Sequence, residues 1–344
     1  MHPQILSVVC IGLSMIPAVA TADLILDKIE TFFIGGGEVV LEGLPDEEIT
    51  VRPGADPILV DPNGTFETGQ MYVQNYQLAD PENQLPILMW HGSALTGNTW
   101  ETKPDGGAGW NRFFLDAGYD TYVSDAVERG RASWSRFPEI YTNPPFRRTK
   151  QEAWELFRFG PPNSWSGEGA SVSEAYKGQQ FPVDDFDQLV KSFVPRWVSN
   201  NAATTAAYDA LIKRACPCII IAHSQAGNFG YRAALNNPDL VRALVVIESV
   251  RAPDPAQADA AIVADIPHLV ILGDYISDDP VWPRLVANSA MWRDAIRAAG
   301  GTFDWLDLPA EGITGNSHMM MMDKNSDTIA KLITDWIEAQ NLND

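Results

Sequence analysis

Positive charge, cysteine and histidine are all scarce in this chain of 344 residues. It carries 24 lysines and arginines against 45 aspartates and glutamates, which gives a formal net charge of −21. A chain this acidic is poorly suited to binding nucleic acid or an anionic membrane surface. It has only three cysteines and five histidines, and no His, Cys and Asp residues follow metal-ligand spacing. We therefore expect no metal and no cofactor.

Long apolar runs are also rare, and the longest lies at the N-terminus, over residues 5–20. It ends in Ala18-Val19-Ala20 and Ala20-Thr21-Ala22, two small-x-small cleavage sequences that signal peptidase reads. The run is shorter than the ~20 residues of a membrane span, so an uncleaved anchor is the less favoured alternative. We predict a signal peptide at 1–22 and a secreted or periplasmic protein.

The signal would remove Cys10 and leave Cys216 and Cys218 on either side of Pro217. These two residues would either close a very small disulfide ring or remain as buried thiols. We expect no functional role for them. Asn63 begins the one N-glycosylation sequon, which would matter only in a eukaryotic host.

Strand-like and helix-like segments alternate along the chain, which predicts one α/β domain over 23–344 with a mostly parallel sheet and helices on both faces. Two earlier segments, Thr31–Leu41 and Gly69–Leu78, alternate in polarity like antiparallel strands. The later strands are predicted at Leu85–Trp90, Tyr119–Ser124, Cys218–Ala222, Ala243–Ile247, His268–Leu272 and Phe303–Leu308. Helical patterning covers Trp110–Ala117, Ala202–Ala215, Asn228–Asn236, Val286–Gly300 and Asp327–Gln340.

The interval at about 133–200 is too long for a connecting loop and is rich in aromatic residues, proline and glycine. Two helix-like pieces lie within it, at Lys150–Arg158 and Val183–Phe193. We interpret it as a helical cap over the active-site face, with a largely apolar pocket beneath. An insertion without substrate contacts is an equally open alternative.

Ser224 stands where the apolar strand Cys218–Ala222 runs into the start of a helix. A strained strand-to-helix turn of this kind exposes a nucleophilic serine and presents the next N–H to an oxyanion. The usual pattern is G-x-S-x-G, and Ala222 and Ala226 occupy the glycine positions here. The pattern predicts Ser224 as a nucleophile, with Gln225 N–H as one oxyanion donor.

A serine nucleophile needs a histidine base, and His318 is the best candidate because it follows the last strand and precedes the final helix. His223 adjoins the serine and His268 precedes an apolar strand. His91 starts a His-Gly turn after another strand, where the N–H of Ser93 would serve as the second oxyanion donor.

Glu248 is our preferred partner for the histidine. It ends the apolar strand Ala243–Ile247, where a carboxylate without a partner would be costly. Asp274 and Asp278 follow the next strand and remain alternatives. In either case the chain order is Ser, acid, His, as in the α/β-hydrolases.

The chain resembles the α/β-hydrolase superfamily and, within it, a small group of secreted bacterial serine esterases. The shared stretches are His91-Gly92, Leu95-Thr96-Gly97, Thr99-Trp100-Glu101-Thr102, Phe157-Arg158-Phe159-Gly160-Pro161, His223-Ser224-Gln225 and Gly315-Asn316-Ser317-His318-Met319-Met320-Met321. This resemblance implies Glu248 as the acid, His318 as the base, and Ser93 and Gln225 as oxyanion donors. It departs at Ser93-Ala94, where those esterases have two adjacent cysteines.

The resemblance implies cleavage of carboxylic esters through an acyl-enzyme, with hydrolysis of lactones or other acyl bonds as the alternative. A less favoured reading is a catalytically inactive binding protein of the same fold. We expect a small ester substrate with an apolar part and leave a homodimer open. Met319–Met322 should be core packing, and we expect Arg129 and Arg131 to pair with carboxylates.

Overall fold

The computed structural model describes residues 23–167 and 174–342, so the predicted signal peptide lies outside the described residues. Its main element is an eight-stranded sheet in the order β1-β4-β6-β5-β7-β8-β9-β10. A separate hairpin consists of β2 and β3. The strands are β1 Leu26–Leu41, β2 Glu47–Ile49, β3 Ile58–Val60, β4 Gly64–Leu78, β5 Ile87–Trp90, β6 Thr121–Asp125, β7 Cys218–His223, β8 Val241–Ile247, β9 His268–Leu272 and β10 Phe303–Asp307.

Strands β6, β5, β7, β8, β9 and β10 run parallel, whereas β4 pairs antiparallel with both β1 and β6. The predicted mostly parallel sheet with antiparallel N-terminal strands is therefore confirmed. Both N-terminal strands start about five residues earlier than the polarity pattern indicated. The alternation is weak there because β1 is largely exposed and the two strands pair beyond the buried core.

Helices cover both faces of the sheet because the buried side chains of its strands alternate in direction. Ile219 and Ile221 pack into one core with the aromatic residues of the insertion, and Ile220 and Ala222 pack into the other with Tyr208. The helices are α1 Asn98–Glu101, α2 Trp110–Asp116, α3 Lys150–Leu156, α4 Phe186–Lys191, α5 Asn201–Ala215, α6 Gln225–Asn236, α7 Trp282–Ala298 and α8 Ser326–Ala339. None of the helices in the described ranges is long and apolar enough to cross a membrane.

The insertion predicted at about 133–200 contains α3 and α4 on an aromatic cluster that includes Trp154, Phe159 and Phe186. Thr149 caps α3 by accepting a hydrogen bond from Glu152 N–H at 3.2 Å. Helix α3 ends at Leu156, two residues before the predicted end, because Arg158 has a left-handed φ of 56°. At this turn the carbonyl of Phe157 accepts a hydrogen bond from His318 N–H.

The two cysteines after α5 and the asparagine of the glycosylation sequon each form a defined contact. Cys216 and Cys218 form a disulfide at the start of β7, so the small ring is the alternative that occurs. The Asn63 side chain accepts a hydrogen bond from Leu44 N–H and donates one to Leu44 O, both at 2.8 Å. The amide of the sequon thus stabilises a turn beside β4.

Candidate active site

Ser224 occupies a sharp turn between β7 and α6. Its φ and ψ are 56° and −115°, a left-handed backbone that an L residue adopts only under strain. The turn is held because Ser224 N–H donates to Ile247 O at 2.8 Å, at the end of the neighbouring strand. Ala222 and Ala226 are both buried, so the two methyl groups that replace the glycines fit into the packing around the turn.

Glu248 and His318 form a buried pair, as the sequence predicts for an acid and a base. His318 Nδ1 lies 2.5 Å from Glu248 Oε2, and both side chains are almost fully excluded from solvent. Burial lowers the pKa of His318, the hydrogen bond and charge of Glu248 oppose that effect, and the charges of Arg158 and Arg148 lower it further. The resting pair is a carboxylate with a neutral imidazole whose Nε2 can accept a proton.

Two further groups hold the second oxygen of Glu248. Arg158 Nη2 and Gly273 N–H, the latter at 2.7 Å, both donate to Oε1. Burial raises the pKa of Glu248, but the Arg158 charge and the His318 hydrogen bond outweigh it, and the pKa falls to about 2. A Cβ on Gly273 would lie 2.9 Å from Oε1, so only glycine allows this approach.

Arg158 is a site residue that sequence reasoning did not identify. It belongs to the insertion, and its guanidinium also donates from Nε to Asp274 O at 2.8 Å and lies 4.9 Å from the centre of the Trp282 ring. Its position between Phe157 and Phe159 was a usable signal, because a lone arginine among buried aromatic residues requires a partner.

The backbone of His318 is anchored on both sides. Its N–H donates to Phe157 O of the insertion at 2.9 Å. Its carbonyl oxygen lies at hydrogen-bond distance, 2.9 Å, from His223 Nε2. The His318 ring also contacts Trp282, with a ring-centre distance of 4.6 Å. These contacts fix the orientation of the imidazole.

Asp323 fixes the loop that carries His318. Its carboxylate accepts hydrogen bonds from Ser317 N–H at 2.8 Å, from Ser317 Oγ at 2.7 Å and from Asn316 Nδ2 at 2.9 Å. Burial raises its pKa to about 7 despite these bonds. The following methionines, Met319–Met322, are buried in the core as predicted.

The loop after β5 passes directly over the serine. A Cβ on Gly92 would lie 3.1 Å from Ser224 Cβ and 2.8 Å from His223 Nδ1. Neither Ser93 N–H nor Gln225 N–H donates to a backbone or side-chain acceptor within the described part of the chain. Both predicted oxyanion donors therefore remain available to a ligand.

Hydrogen bonds hold this loop at Ser93-Ala94. Ala94 has a φ of 59°, and its carbonyl accepts from Val194 N–H of the insertion at 3.0 Å. His91 Nε2 accepts from Ala126 N–H at 3.0 Å, and its Nδ1 faces Gly92 O. Burial lowers the pKa of His91 to about 4, so it is a neutral structural residue.

The remaining sequence candidates have structural partners or lie apart from the site. Asp274, the alternative acid, accepts from Tyr275 N–H and Gly315 N–H rather than from His318. Asp278 belongs to a short 3-10 turn after β9, and His268 bonds to Ile266 O. Within the described ranges, no three His, Cys, Asp or Glu side chains are arranged to hold a metal ion.

The two arginines after β6 differ from each other. Arg131 pairs with Asp125 at 2.8 Å, as predicted. Arg129 is buried without any carboxylate partner among the described residues, so its predicted pairing is wrong. The adjacent carboxylate of Glu128 accepts a hydrogen bond from Ser135 N–H at 2.8 Å and forms no ion pair with Arg129.

Comparison with known proteins shows what the chain is similar to, although no protein-family model matches it. A bacterial esterase of known structure is 34% identical with a TM-score of 0.80, and the match covers 94% of this chain and 99% of that one. The chain belongs to the family of that esterase. A probable secreted lipase, phiG, from Fungal sp. (strain ATCC 74256), is 27% identical over 80% of this chain and 88% of its own length. The resemblance to α/β-hydrolase esterases is thereby confirmed.

Proposed function

We propose that the protein is an exported hydrolase of carboxylic esters, with Ser224 as nucleophile, His318 as base and Glu248 as the acid that orients it. The buried pair of His318 and Glu248 carries this proposal. Hydrogen bonds connect it to the turn of Ser224, whose N–H donates to Ile247 O, next to Glu248, and whose neighbour His223 has its Nε2 2.9 Å from His318 O. Its relatives include an esterase and a probable secreted lipase, which support ester hydrolysis and export.

In the proposed reaction, Ser224 Oγ attacks the ester carbonyl while His318 Nε2 takes its proton. Glu248 keeps the imidazole Nδ1–H oriented and stabilises the imidazolium that forms. The N–H groups of Ser93 and Gln225 stabilise the tetrahedral oxyanion. The alcohol leaves with the proton from His318, and water then releases the acid from the acyl-enzyme by the same steps.

Alternatives within this chemistry concern the substrate. A lactone is a cyclic ester, and the same groups would open it. A binding protein without catalytic activity is the alternative from another class, and it predicts that replacing Ser224 leaves the biological activity intact. A complete nucleophile, base and acid favours the enzyme.

Hydrolysis of p-nitrophenyl esters of increasing chain length tests the proposal. Ser224→Ala should lose at least a thousandfold in kcat, and Glu248→Gln should lose about as much because the histidine is no longer oriented. Asp274→Asn is the matched control, since its carboxylate accepts only backbone N–H groups. Turnover of no ester by the wild type, or a large loss in Asp274→Asn with full rate in Glu248→Gln, would overturn the assignment.

A further inference from the structure

Arg129 is a buried arginine that forms no ion pair with any of the described residues. Its side chain is 3% exposed, and its Nε and Nη1 are both buried without a hydrogen-bond partner. In the described ranges its guanidinium makes neither an ion pair nor a hydrogen bond. Burying an unpaired charge costs several kcal/mol, so an external anion that pairs with Arg129 would recover part of that cost.

Two more arginines, Arg148 and Arg196, share this region. The charge of Arg196 acts on Arg129 and on Arg148, and the Nε atoms of Arg148 and Arg196 are likewise buried without an acceptor. Of the three guanidiniums, only Arg148 binds a carboxylate, that of Glu152 at 2.8 Å. We call these three residues the arginine cluster.

The cluster remains positively charged at neutral pH. Burial, together with the charge of Arg196, lowers the pKa of Arg129 to about 9, which still leaves it protonated. The carboxylate of Glu128 is occupied by Ser135 N–H at 2.8 Å and Ser135 Oγ at 2.9 Å. In a chain with a net charge of −21, no carboxylate among the described residues lies within ion-pair distance of the guanidiniums of Arg129 and Arg196, although the charges of Glu128 and Glu152 act on them from farther away.

Two members of the cluster, Arg196 and Arg148, are connected to the elements around the proposed catalytic residues. Arg196 follows Val194, whose N–H holds Ala94 O of the oxyanion loop at 3.0 Å. On the other side, Arg148 Cζ lies 5.3 Å from the centre of the Phe157 ring, which is itself 5.5 Å from the His318 ring. The charge of Arg148 reaches His318 and contributes to lowering its pKa, after the larger effect of burial.

An aromatic surface accompanies the charges. The Phe146 ring lies 5.3 Å from Arg196 Cζ and 5.9 Å from Arg148 Cζ. Planar guanidiniums bind carboxylates through paired hydrogen bonds, and adjacent aromatic rings pack against hydrocarbon chains. The combination fits an acyl chain with a terminal carboxylate.

We propose that the arginine cluster binds a carboxylate of the substrate, so that the preferred substrates are esters that carry a second, anionic carboxyl group on an aliphatic chain. This inference rests on the proposed ester hydrolysis at Ser224. To that proposal it adds the class of ester that the enzyme prefers.

The test compares the monomethyl esters of succinate, adipate and suberate with methyl butyrate, hexanoate and octanoate, followed by pH-stat. Each pair has the same acyl length and differs by one carboxylate. The variants are Arg129→Gln and Arg196→Gln. Arg242→Gln is the matched control, since Arg242 is exposed at the amino end of β8, whereas Glu248 follows the carboxyl end of that strand.

For at least one chain length, the ratio of kcat/KM for the anionic ester to that for the neutral ester should fall roughly tenfold or more in both cluster variants, mainly through KM. The ratio should not change in Arg242→Gln. A change of less than threefold at all three lengths in both cluster variants overturns the proposal.

Two further results keep the test decisive. If Arg129→Gln does not fold, Arg196→Gln decides, together with thermal unfolding of the wild type in adipate or in neutral adipamide. Adipate should raise the Tm and adipamide should not; equal effects at matched ionic strength refute the anion site. A wild type that hydrolyses none of the six esters contradicts the proposed function itself, whereas hydrolysis with unchanged ratios contradicts only the substrate class.

Discussion

Replacing Arg158 with Gln removes the charge that holds the proposed catalytic carboxylate. The Arg158 side chain is 1% exposed and that of Glu248 is 0% exposed, so the partner left behind is a buried carboxylate supported by Gly273 N–H and His318. Breaking a buried ion pair in this way typically costs about 3–5 kcal/mol of unfolding free energy.

The pKa of Glu248 gives a second value for the stability that its buried contacts provide. It falls from an ordinary 4.5 to about 2 in the folded protein, which corresponds to about 3 kcal/mol of stability. Because the folded pKa is depressed, this stability is present above the ordinary pKa and is lost as the pH falls towards 2. Arg158 provides the largest of the contributions that lower this pKa, and His318 provides others. The variant should therefore lose about 3–5 kcal/mol of unfolding free energy at pH 7, as for a broken buried ion pair, and show a shallower loss between pH 5 and 2.

Activity should change in a direction that a purely structural effect would not produce. Burial raises the pKa of Glu248 and lowers that of His318, and in both cases the charge of Arg158 lowers the pKa. Its removal should raise both values, so the acidic limb of the kcat profile should move to higher pH. A limb that stays in place or moves to lower pH would refute this role for Arg158.

Urea unfolding at several pH values, combined with pH-rate profiles on a p-nitrophenyl ester, measures both effects. Arg293→Gln is the control, because Arg293 pairs with Asp294 at the surface, where the Asp294 side chain is 65% exposed. An exposed pair of this kind contributes less than about 1 kcal/mol. If Arg158→Gln loses no more stability than Arg293→Gln, Arg158 does not hold the carboxylate.

Two further predictions concern the loops around the site. Gly92→Ala should lower kcat at least tenfold with an unchanged far-UV spectrum, since its Cβ would lie 3.1 Å from Ser224 Cβ and displace the oxyanion loop; full activity would contradict this. Wild-type stability should fall as the pH rises from about 4 to 7, because the folded protein keeps a proton on Asp323, whose pKa is raised to about 7, while the unfolded chain releases it. In urea unfolding, Asp323→Asn should remove up to about 4 kcal/mol of this pH-dependent loss of unfolding free energy. If the variant and the wild type lose stability equally between pH 4 and 7, the pKa of Asp323 is not raised.

The strands and the order of the proposed catalytic residues could be predicted from the sequence, because both can be recognised from local patterns such as buried apolar runs. A buried apolar run such as Cys218–His223 is recognisable wherever it occurs. Helix starts were less accurate: α6 begins at Gln225 rather than Asn228, since the turn at Ser224 initiates the helix before its apolar face becomes regular. Similarly, α7 begins at Trp282 rather than Val286, with a proline in its first turn that sequence reasoning could have used.

The partners of buried charges could not be predicted from the sequence, because tertiary packing determines them. Arg158 meets Glu248 across 90 residues of sequence, and no local pattern relates the two. The predicted pairing of Arg129 with a carboxylate was wrong for a related reason. It lies close to Glu128 and Asp125 in sequence, but those carboxylates bind Ser135 and Arg131 respectively.

The insertion is part of the proposed catalytic geometry rather than a detachable cover. Phe157 O holds His318 N–H at 2.9 Å, and the next residue, Arg158, holds Glu248. A rigid lid motion that lifted this turn would break both contacts and leave the carboxylate of Glu248 without its main counter-charge. Any opening that admits substrate must therefore leave Phe157 and Arg158 in place and move other parts of the insertion.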